Sequence, residues 1–320
     1  MKGKRIWSGL LALVFCLGLL PATALAAAEG SEKHTDHTEW TALTEDVLKE
    51  KEYQLEDGQY YFSGTEYEYG ELVIETSSVL TVAGNVTLCL NNVSYTYTGN
   101  NESAVVVEEN ASLTLCCCQP GQYSDYAGSI HAPNAKYVIN NGGTLRITGG
   151  EVYSNVEYGA PVYNAGACTV SGGNLYGNAG NPLGGYKTAY GIYNADEASL
   201  TITGAPTIEG KAPGEMDDPT GPQIDVLTYD TICVEDLSDD FWGFNIGFYG
   251  EAGTTVISGV TGDPDDWTGT WYLFTLAYPE NAVFTYNQPM DGNPGTLVYE
   301  GSSSMAFAGA PMIDGYYTVE

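Results

Sequence analysis

Cysteine and histidine are the residues of this sequence whose chemistry is most specific. Three of the seven cysteines form the run Cys116-Cys117-Cys118. This run lacks the paired Cys-x-x-Cys spacing of zinc sites, so we predict no metal site from it. His34 and His37 flank Asp36 in a polar stretch and could hold a metal, but a flexible leader is the favoured interpretation of that stretch.

Cys89 and Cys116, the latter being the first residue of this run, end the matching sequences Val-Thr-Leu-Cys and Leu-Thr-Leu-Cys. If these segments are neighbouring parallel strands in register, the two residues lie about 4.8 Å apart, a separation that a disulfide tolerates. The sequence therefore leaves two alternatives open for this pair, a Cys89–Cys116 disulfide or two reduced, stacked thiols. Cys168 stands where related segments have leucine, and we predict that it is a small core residue.

Two pairs of tyrosines recur at matching positions, Tyr153 with Tyr176 and Tyr163 with Tyr193. Stacked, exposed aromatic rings bind the faces of sugars, so these four residues are the candidate ligand-binding residues. The same arrangement also stabilises the wall of a sheet through contacts between neighbouring strands. The second interpretation is favoured, and the binding hypothesis requires a test.

Acidic residues cluster at three places where a hard cation such as Ca²⁺ would bind. The clusters are Asp217-Asp218, Asp236–Asp240 and Asp263–Asp266. None has the spacing of an EF-hand, and no Gly-Gly-x-Gly-x-Asp repeat is present. Solvated loops are the favoured interpretation. We predict no cofactor, with Ca²⁺ as the one that the sequence leaves open.

The chain is strongly acidic, because 10 Lys and Arg stand against 41 Asp and Glu, a net charge of −31. Such a charge repels nucleic acid and anionic membranes, so we predict neither as a partner. Only 16% of the residues are charged and 43% are hydrophobic, which excludes an acidic disordered tail. The 40 glycines suit tight turns, and the 25 tyrosines suit strands.

The first 26 residues have the features of a signal peptide. Lys2, Lys4 and Arg5 precede an apolar run, and Ala24-Leu25-Ala26 supplies small residues for cleavage. No later apolar run approaches the roughly 18 residues of a membrane span. We therefore predict a secreted protein without membrane insertion, either free or held non-covalently at the cell surface.

The residues above belong to a short repeat between about residues 80 and 210. Each copy has an apolar pair and Asn, a turn, an apolar-x-apolar strand and a small pair. Aligning Val86, Leu113, Leu145, Cys168 and Leu200 gives steps of 27, 32, 23 and 32 residues. A coil of a parallel β-solenoid needs about 20 to 30 residues, with insertions in loops. We therefore predict an all-β protein, a parallel β-helix with three short strands in each coil.

Alternation of side chains along each strand predicts three inward columns. These are Val138/Val162/Ile192, Val152/Leu175/Ile208 and Leu113/Leu145/Cys168/Leu200. Asn140, Asn164 and Asn194 fall at one turn, and we predict that they form a ladder of hydrogen bonds.

Four parts of the chain are predicted: a signal peptide at 1–26, a flexible leader at 27–39, a parallel β-helix with its N-terminal cap at 40–250, and a β-rich C-terminal cap at 251–320. The last apolar coil of a solenoid requires a cover, which explains the final part. One short helix is expected from Thr44 to Lys51, with Thr44 as its N-cap.

Several of these motifs together resemble a known group of proteins. The motifs are Trp40-Thr41-Ala42-Leu43, Gly58–Phe62, Val86–Asn91, Leu113–Cys116 and the Gly-Gly-x-apolar segments of the coils. Over most of residues 40–250 the chain resembles secreted, adhesin-like β-helix proteins of gut Firmicutes, which belong to the pectate-lyase-like class. Cys117 departs from the group, which usually has an acidic residue there. The resemblance implies a right-handed parallel β-helix and an adhesin-like role.

The same fold class includes pectate lyases and polygalacturonases, so a polysaccharide-active enzyme is the alternative. A lyase needs a base beside a Ca²⁺ cluster, but Arg146 stands next to no acidic strand pair. A hydrolase would show His-Gly and Arg-x-Lys, whereas His131 is followed by Ala132. We therefore predict a non-catalytic protein that binds a glycan or a protein of a host or neighbouring cell. A purely structural surface component is a third interpretation.

Overall fold

The structure is a computed structural model. It describes residues 37–66, 72–118, 128–156, 159–178, 190–211, 223–237, 243–248, 253–260, 282–287, 295–302, 312–313 and 316–317. The predicted signal peptide lies outside these residues. All the described residues belong to one compact unit.

The described residues form β-strands almost throughout, with one short helix among them. In chain order the elements are β1 Thr41–Leu43, α1 Glu45–Glu50, β2 Gln54–Leu55, β3 Gly58–Phe62, β4 Thr65–Glu66, β5 Leu72–Thr76, β6 Leu80–Val82, β7 Asn85–Cys89, β8 Val93–Tyr97, β9 Ser103–Val107, β10 Ser112–Cys116, β11 Ser129–Ala132, β12 Tyr137–Asn141, β13 Thr144–Ile147, β14 Glu151–Ser154, β15 Ala160–Asn164, β16 Ala167–Val170, β17 Asn174–Asn178, β18 Ile192–Asn194, β19 Ser199–Gly204, β20 Thr207–Lys211, β21 Gln223–Thr228, β22 Ile232–Leu237, β23 Gly243–Phe248, β24 Thr254–Val260, β25 Ala282–Asn287, β26 Gly295–Ser302, β27 Met312–Ile313 and β28 Tyr316–Tyr317.

Most strands from β5 to β21 pair in parallel with the strand three positions later, so the chain passes through three ladders in turn. The first ladder is β1-β3-β7-β10-β13-β16-β19-β22-β24, the second is β5-β8-β11-β14-β17-β20, and the third is β2-β6-β9-β12-β15-β18-β21. β21 also pairs with β20, through Ile208 and Ile224, which joins the second ladder to the third. Nearly all of the sheet is parallel, as the sequence predicted.

The register of the first ladder is the one predicted from the repeat. Val86, Leu113, Leu145, Cys168 and Leu200 are successive partners on β7, β10, β13, β16 and β19. All five are at most 2% exposed. Cys168 is thus confirmed as a core residue. Burial of each such aliphatic side chain contributes about 1.5–3 kcal/mol, so this column is a main source of stability.

The inward column of the second ladder is also confirmed. Val152, Leu175 and Ile208 are successive partners on β14, β17 and β20, and all are fully buried. Ile130 and Tyr95 continue the same column towards the amino terminus, on β11 and β8. A large aromatic ring therefore fills the core at that end.

The predicted register of the third ladder is wrong by one residue at β12. Ile139, and not Val138, is the partner of Val162, although Val138 is buried as well. Asn141, and not Asn140, consequently pairs with Asn164. The sequence Asn140-Asn141 offers two candidates for one position, and the turn to the next strand selects the second. Leu145 lies four positions after Asn141, as Cys168 lies four positions after Asn164.

The amino-terminal end of the first ladder is formed by β1. β1 pairs in parallel with β3, and α1 follows β1 directly. The hydroxyl of Thr44 accepts a hydrogen bond from the N–H of Val47 at 3.3 Å, which confirms the N-cap, and Leu48 is fully buried. No helix among the described residues is long and apolar enough to span a membrane.

The direction of pairing changes near the carboxyl-terminal end. β24 is the last parallel strand of the first ladder, and β26 and then β25 continue the sheet in antiparallel pairing. This change falls within residues 251–320, the segment predicted as a β-rich cap.

Candidate functional site

Four tyrosines form a row across the third ladder. Tyr163 on β15 and Tyr193 on β18 are partners in register, with ring centroids 5.1 Å apart and planes at 33°. Tyr137 on β12 places its ring 4.7 Å from that of Tyr163. Tyr229, which follows β21, places its ring 6.0 Å from that of Tyr193. We call these four residues the tyrosine row.

The tyrosine row combines partly exposed rings with neutral hydroxyl groups. Tyr163, Tyr193 and Tyr229 are half-buried, whereas Tyr137 is only 6% exposed. The hydroxyl of Tyr193 donates to that of Tyr229 at 3.3 Å. Burial, and then this hydrogen bond, raise the pKa of Tyr193, so its hydroxyl stays protonated at neutral pH. The row therefore offers apolar ring surface and hydrogen-bonding groups without charge.

A concavity of about 470 Å³ adjoins the tyrosine row. Asn140 lines the concavity and is the in-register partner of Tyr163. Val106 pairs with Asn140 from β9 and lines it as well. The turn after β9 adds the exposed side chains of Glu108 and Glu109. Val106 and Asn140 thus continue the register of Tyr163, and the two carboxylates of the neighbouring turn line the same concavity.

A ladder of buried amides sets the spacing of the row. Asn141 donates from Nδ2 to Oδ1 of Asn164 at 2.7 Å, and Asn164 donates likewise to Asn194 at 2.7 Å. Asn194 donates to Oγ1 of Thr228 at 3.1 Å. All four side chains are 0% exposed. Asn164 and Asn194 each directly follow a tyrosine of the row, and Thr228 directly precedes Tyr229. The predicted ladder therefore exists, with Asn141 in place of Asn140.

The other predicted pair, Tyr153 and Tyr176, lies on the second ladder and is also in register. His131 is the partner of Tyr153 on the preceding strand, and the two ring centroids lie 5.0 Å apart. Asn155 places Nδ2 3.2 Å from Nε2 of His131, and burial lowers the pKa of this histidine. Glu209 is the partner of Tyr176 on the following strand. The four predicted tyrosines thus form two separate pairs on two ladders.

A second chemically distinctive group lies where β7 and β10 end. Cys89 and Cys116 are in register, as predicted, and both are free thiols in the structure, so the disulfide is not formed there. Cys118 follows β10, and His37 precedes β1. One ring nitrogen of His37 and the sulfur atoms of Cys89 and Cys118 all lie within 4.8 Å of one another. We call His37, Cys89 and Cys118 the cysteine–histidine cluster.

The turn after β7 positions this cluster. Asn91 and Asn92 have φ angles of 48° and 57°, in the left-handed region that asparagine tolerates better than most residues. The thiol of Cys118 donates to Oδ1 of Asn91 over 3.8 Å, and Nδ2 of Asn91 donates to the carbonyl oxygen of Phe62 at 3.1 Å. The turn is therefore tied both to the cluster and to β3.

Both cysteines of the cluster are protonated at neutral pH. The hydrogen bond that Cys89 shares with Cys116, followed by burial, raises the pKa of Cys89. Burial, followed by the electrostatic interaction with Cys89, raises the pKa of Cys118 to about 12. A reactive nucleophilic cysteine requires a lowered pKa, so these thiols do not have the character of a catalytic nucleophile.

Sequence reasoning missed Tyr137 and Tyr229 and the grouping of His37 with the cysteines. Tyr137 lies four residues before Asn141, whereas Tyr163 lies directly before Asn164, so no repeat position connects them.

The acidic clusters Asp217-Asp218 and Asp263–Asp266 lie outside the described residues, as do residues 238–240 of the third cluster. Asp236 of that cluster lies within β22.

This chain matches no protein-family model, no curated protein and no solved structure, so its function is argued from the geometry above.

Proposed function

We propose that this chain is an exported, adhesin-like protein with a right-handed parallel β-helix fold, and that its tyrosine row binds a glycan. The three ladders, visited in turn by successive strands, support the β-helix. Connections between parallel strands of one sheet are right-handed in nearly all proteins, which supports the hand. The basic and apolar start of the chain supports export.

The observation that carries the proposal is the continuity between the tyrosine row and the concavity. Sugar-binding sites combine aromatic surface, which covers the apolar face of a sugar ring, with a few polar groups that bond its hydroxyls. Tyr163 and Tyr193 supply partly exposed rings, and Asn140 supplies the amide next to them in the same register. Because the row extends over four coils, it fits an oligosaccharide chain better than a single sugar.

The charge of the protein narrows the class of glycan. The chain carries a net charge of −31, and Glu108 and Glu109 are exposed at the concavity. Carboxylates repel uronic acids and sulfated sugars but accept hydrogen bonds from neutral hydroxyl groups. The proposed ligand is therefore a neutral oligosaccharide.

The surroundings of Arg146 favour binding over lyase chemistry. The in-register partners of Arg146 are Thr114 on β10 and Thr169 on β16, rather than carboxylates that would hold Ca²⁺ next to it. A lyase of this class would require a base and a cation side by side. The proposal is accordingly a binding function, at the cell surface or in the medium around it.

A glycan array tests this proposal. The mature chain, beginning at residue 27, is applied to neutral and acidic glycans, together with a Tyr163→Ala/Tyr193→Ala variant. We expect the wild type to bind neutral oligosaccharides and the variant to lose this signal. A Tyr153→Ala/Tyr176→Ala variant is the matched control, because it removes an equal pair of in-register tyrosines from the second ladder and should bind like the wild type.

Three results would contradict the proposal. No binding by the folded wild type would favour a purely structural component or a protein partner. Equal binding by wild type and the Tyr163→Ala/Tyr193→Ala variant would place the glycan elsewhere. Release of reducing sugars or unsaturated uronides from the glycans would identify an enzyme instead.

A further inference from the structure

We propose that His37, Cys89 and Cys118 form a binding site for a thiophilic divalent cation of the zinc type. The site lies on the first ladder, on different elements from the tyrosine row, and does not depend on glycan binding. It joins the segment ahead of β1 to the ends of β7 and β10, which the sequence separates by 52 and 81 residues from His37.

The distances within the cluster are close to those of a tetrahedral site. Zn²⁺ binds sulfur at about 2.3 Å and histidine nitrogen at about 2.0–2.1 Å, so the sulfur and nitrogen ligands of one ion lie about 3.6 Å apart. Nε2 of His37 lies 3.7 Å from Sγ of Cys118. All three potential ligand atoms lie within 4.8 Å of one another. Side-chain movements of about 1 Å therefore bring them to the separations found around one tetrahedral ion.

The types of ligand determine which cation fits. Two thiolates and one imidazole select zinc-like or copper-like ions and disfavour Ca²⁺ and Mg²⁺, which require oxygen ligands. Each thiol releases its proton to solvent when it binds the ion, so the two thiolates balance the double positive charge. The fourth coordination position can be filled by water.

The side chains around the cluster hold its histidine in place. The ring of His37 stacks on that of Tyr61, with centroids 4.2 Å apart and planes at 14°. The ring of Trp40 meets the same ring edge-on, with centroids 5.3 Å apart. The backbone N–H of Trp40 donates to the carbonyl oxygen of His37 at 3.0 Å. Tyr61 is in turn the in-register partner of Cys89. Such support orients a ligand before the ion arrives and reduces the entropic cost of binding.

Cobalt spectroscopy tests the site. The mature chain is reduced, freed of metal by a chelator and titrated with Co²⁺, which reports thiolate and tetrahedral coordination through its charge-transfer and visible bands. We expect one Co²⁺ per chain, displacement by Zn²⁺, and a higher melting temperature with Zn²⁺, because the ion binds the folded state only. His37→Ala and Cys118→Ser should each weaken Co²⁺ binding by more than the roughly tenfold cost of losing a supporting residue.

Cys117→Ser and His131→Gln are the matched controls, because they remove a neighbouring thiol and another histidine and should leave the titration unchanged. His37 precedes the first strand and Cys118 is half-buried, so these variants are expected to fold even if a Cys89 variant does not. Absence of thiolate–cobalt bands in the folded, reduced wild type would overturn the proposal. Bands that persist in both His37→Ala and Cys118→Ser would also overturn it.

Discussion

The side-chain amide of Asn164 is buried and makes four hydrogen bonds. Its Nδ2 donates to Asn194 at 2.7 Å and to the carbonyl oxygen of Ser199 at 2.9 Å. Its Oδ1 accepts from Asn141 at 2.7 Å and from the N–H of Gly166 at 3.3 Å. Because the side chain is fully buried, water cannot replace these partners. The amide is therefore a structural support for the tyrosine row.

Asn164→Ala should be strongly destabilising. The substitution removes the acceptor of one buried N–H of Asn141 and the donor to the buried Oδ1 of Asn194, and each buried polar group left unpaired costs about 1–3 kcal/mol. We expect a loss of about 3 kcal/mol or more in the free energy of unfolding, measured by urea denaturation. Asn174→Ala is the control, because Asn174 is half-buried and donates to the Glu151 carboxylate at 3.2 Å. Similar losses in both variants would contradict the assigned role of the buried ladder.

His131 should make stability depend on pH. Burial holds the pKa of His131 below 6.5 in the folded state, so the unfolded chain binds more protons as the pH falls through that value. The protein should therefore lose stability as the pH drops below about 6.5, and this contribution should be absent above it. Melting temperatures of wild type and His131→Gln between about pH 8 and pH 5 measure it. A fall of the same size in both would show that other groups cause it.

At the scale of elements, the turns between the third and first ladders stack as closely as the strands do. Gly166 lies two positions after the buried Asn164, and Gly143 lies two positions after the buried Asn141. A Cβ atom at Gly166 would lie 2.2 Å from the carbonyl oxygen of Gly143. Glycine is therefore required at this turn by the close approach of two backbones.

Gly166→Ala should accordingly destabilise the protein, because the obstructing atom belongs to the backbone of the adjacent turn and cannot move alone. Overpacking of this kind costs about 1–3 kcal/mol. Gly149→Ala is the matched control, since its added Cβ would lie 3.4 Å from the nearest atom, the N of Cys117. Urea denaturation of both variants provides the comparison. Equal stability of the two variants would refute the close approach of the two turns.

The sequence predicted the first and second ladders because their inward positions are consistently apolar. Leu113 and Leu145, for instance, are bounded by polar residues on both sides, so only one register buries them. The third ladder offered Val138 and Ile139 in succession, followed by two asparagines. A one-residue shift there keeps an apolar side chain inside, and the hydrophobic pattern alone cannot distinguish the alternatives.

The candidate sites were predictable only where they depend on register. Tyr163 and Tyr193 occupy one repeat position and were found, as were Cys89 and Cys116. His37 approaches the cysteines through the course of the segment ahead of β1, which no repeat describes. Chain path and ring orientation are properties of tertiary structure, and the pattern of residue types does not contain them.

At the scale of the whole molecule, the three ladders separate the distinctive groups of the protein. The third ladder carries the tyrosine row and the adjoining concavity. The second ladder carries the pair Tyr153 and Tyr176, and the amino-terminal end of the first carries the cysteine–histidine cluster. Residues at matching positions of successive strands stay on one ladder, because most strands pair in parallel with the strand three positions later. Glycan binding and metal binding are thus expected to be separable by substitution.

The central claim is that the tyrosine row contacts the glycan, and backbone hydrogen exchange compares the third ladder with the second in one experiment. The mature protein is measured with and without the neutral oligosaccharide that binds best on the array. The account predicts slower exchange in peptides covering 106–110, 137–142 and 190–194 and unchanged exchange in 151–155 and 174–178. Slowing confined to the second-ladder peptides, or no slowing at saturating ligand, would contradict it.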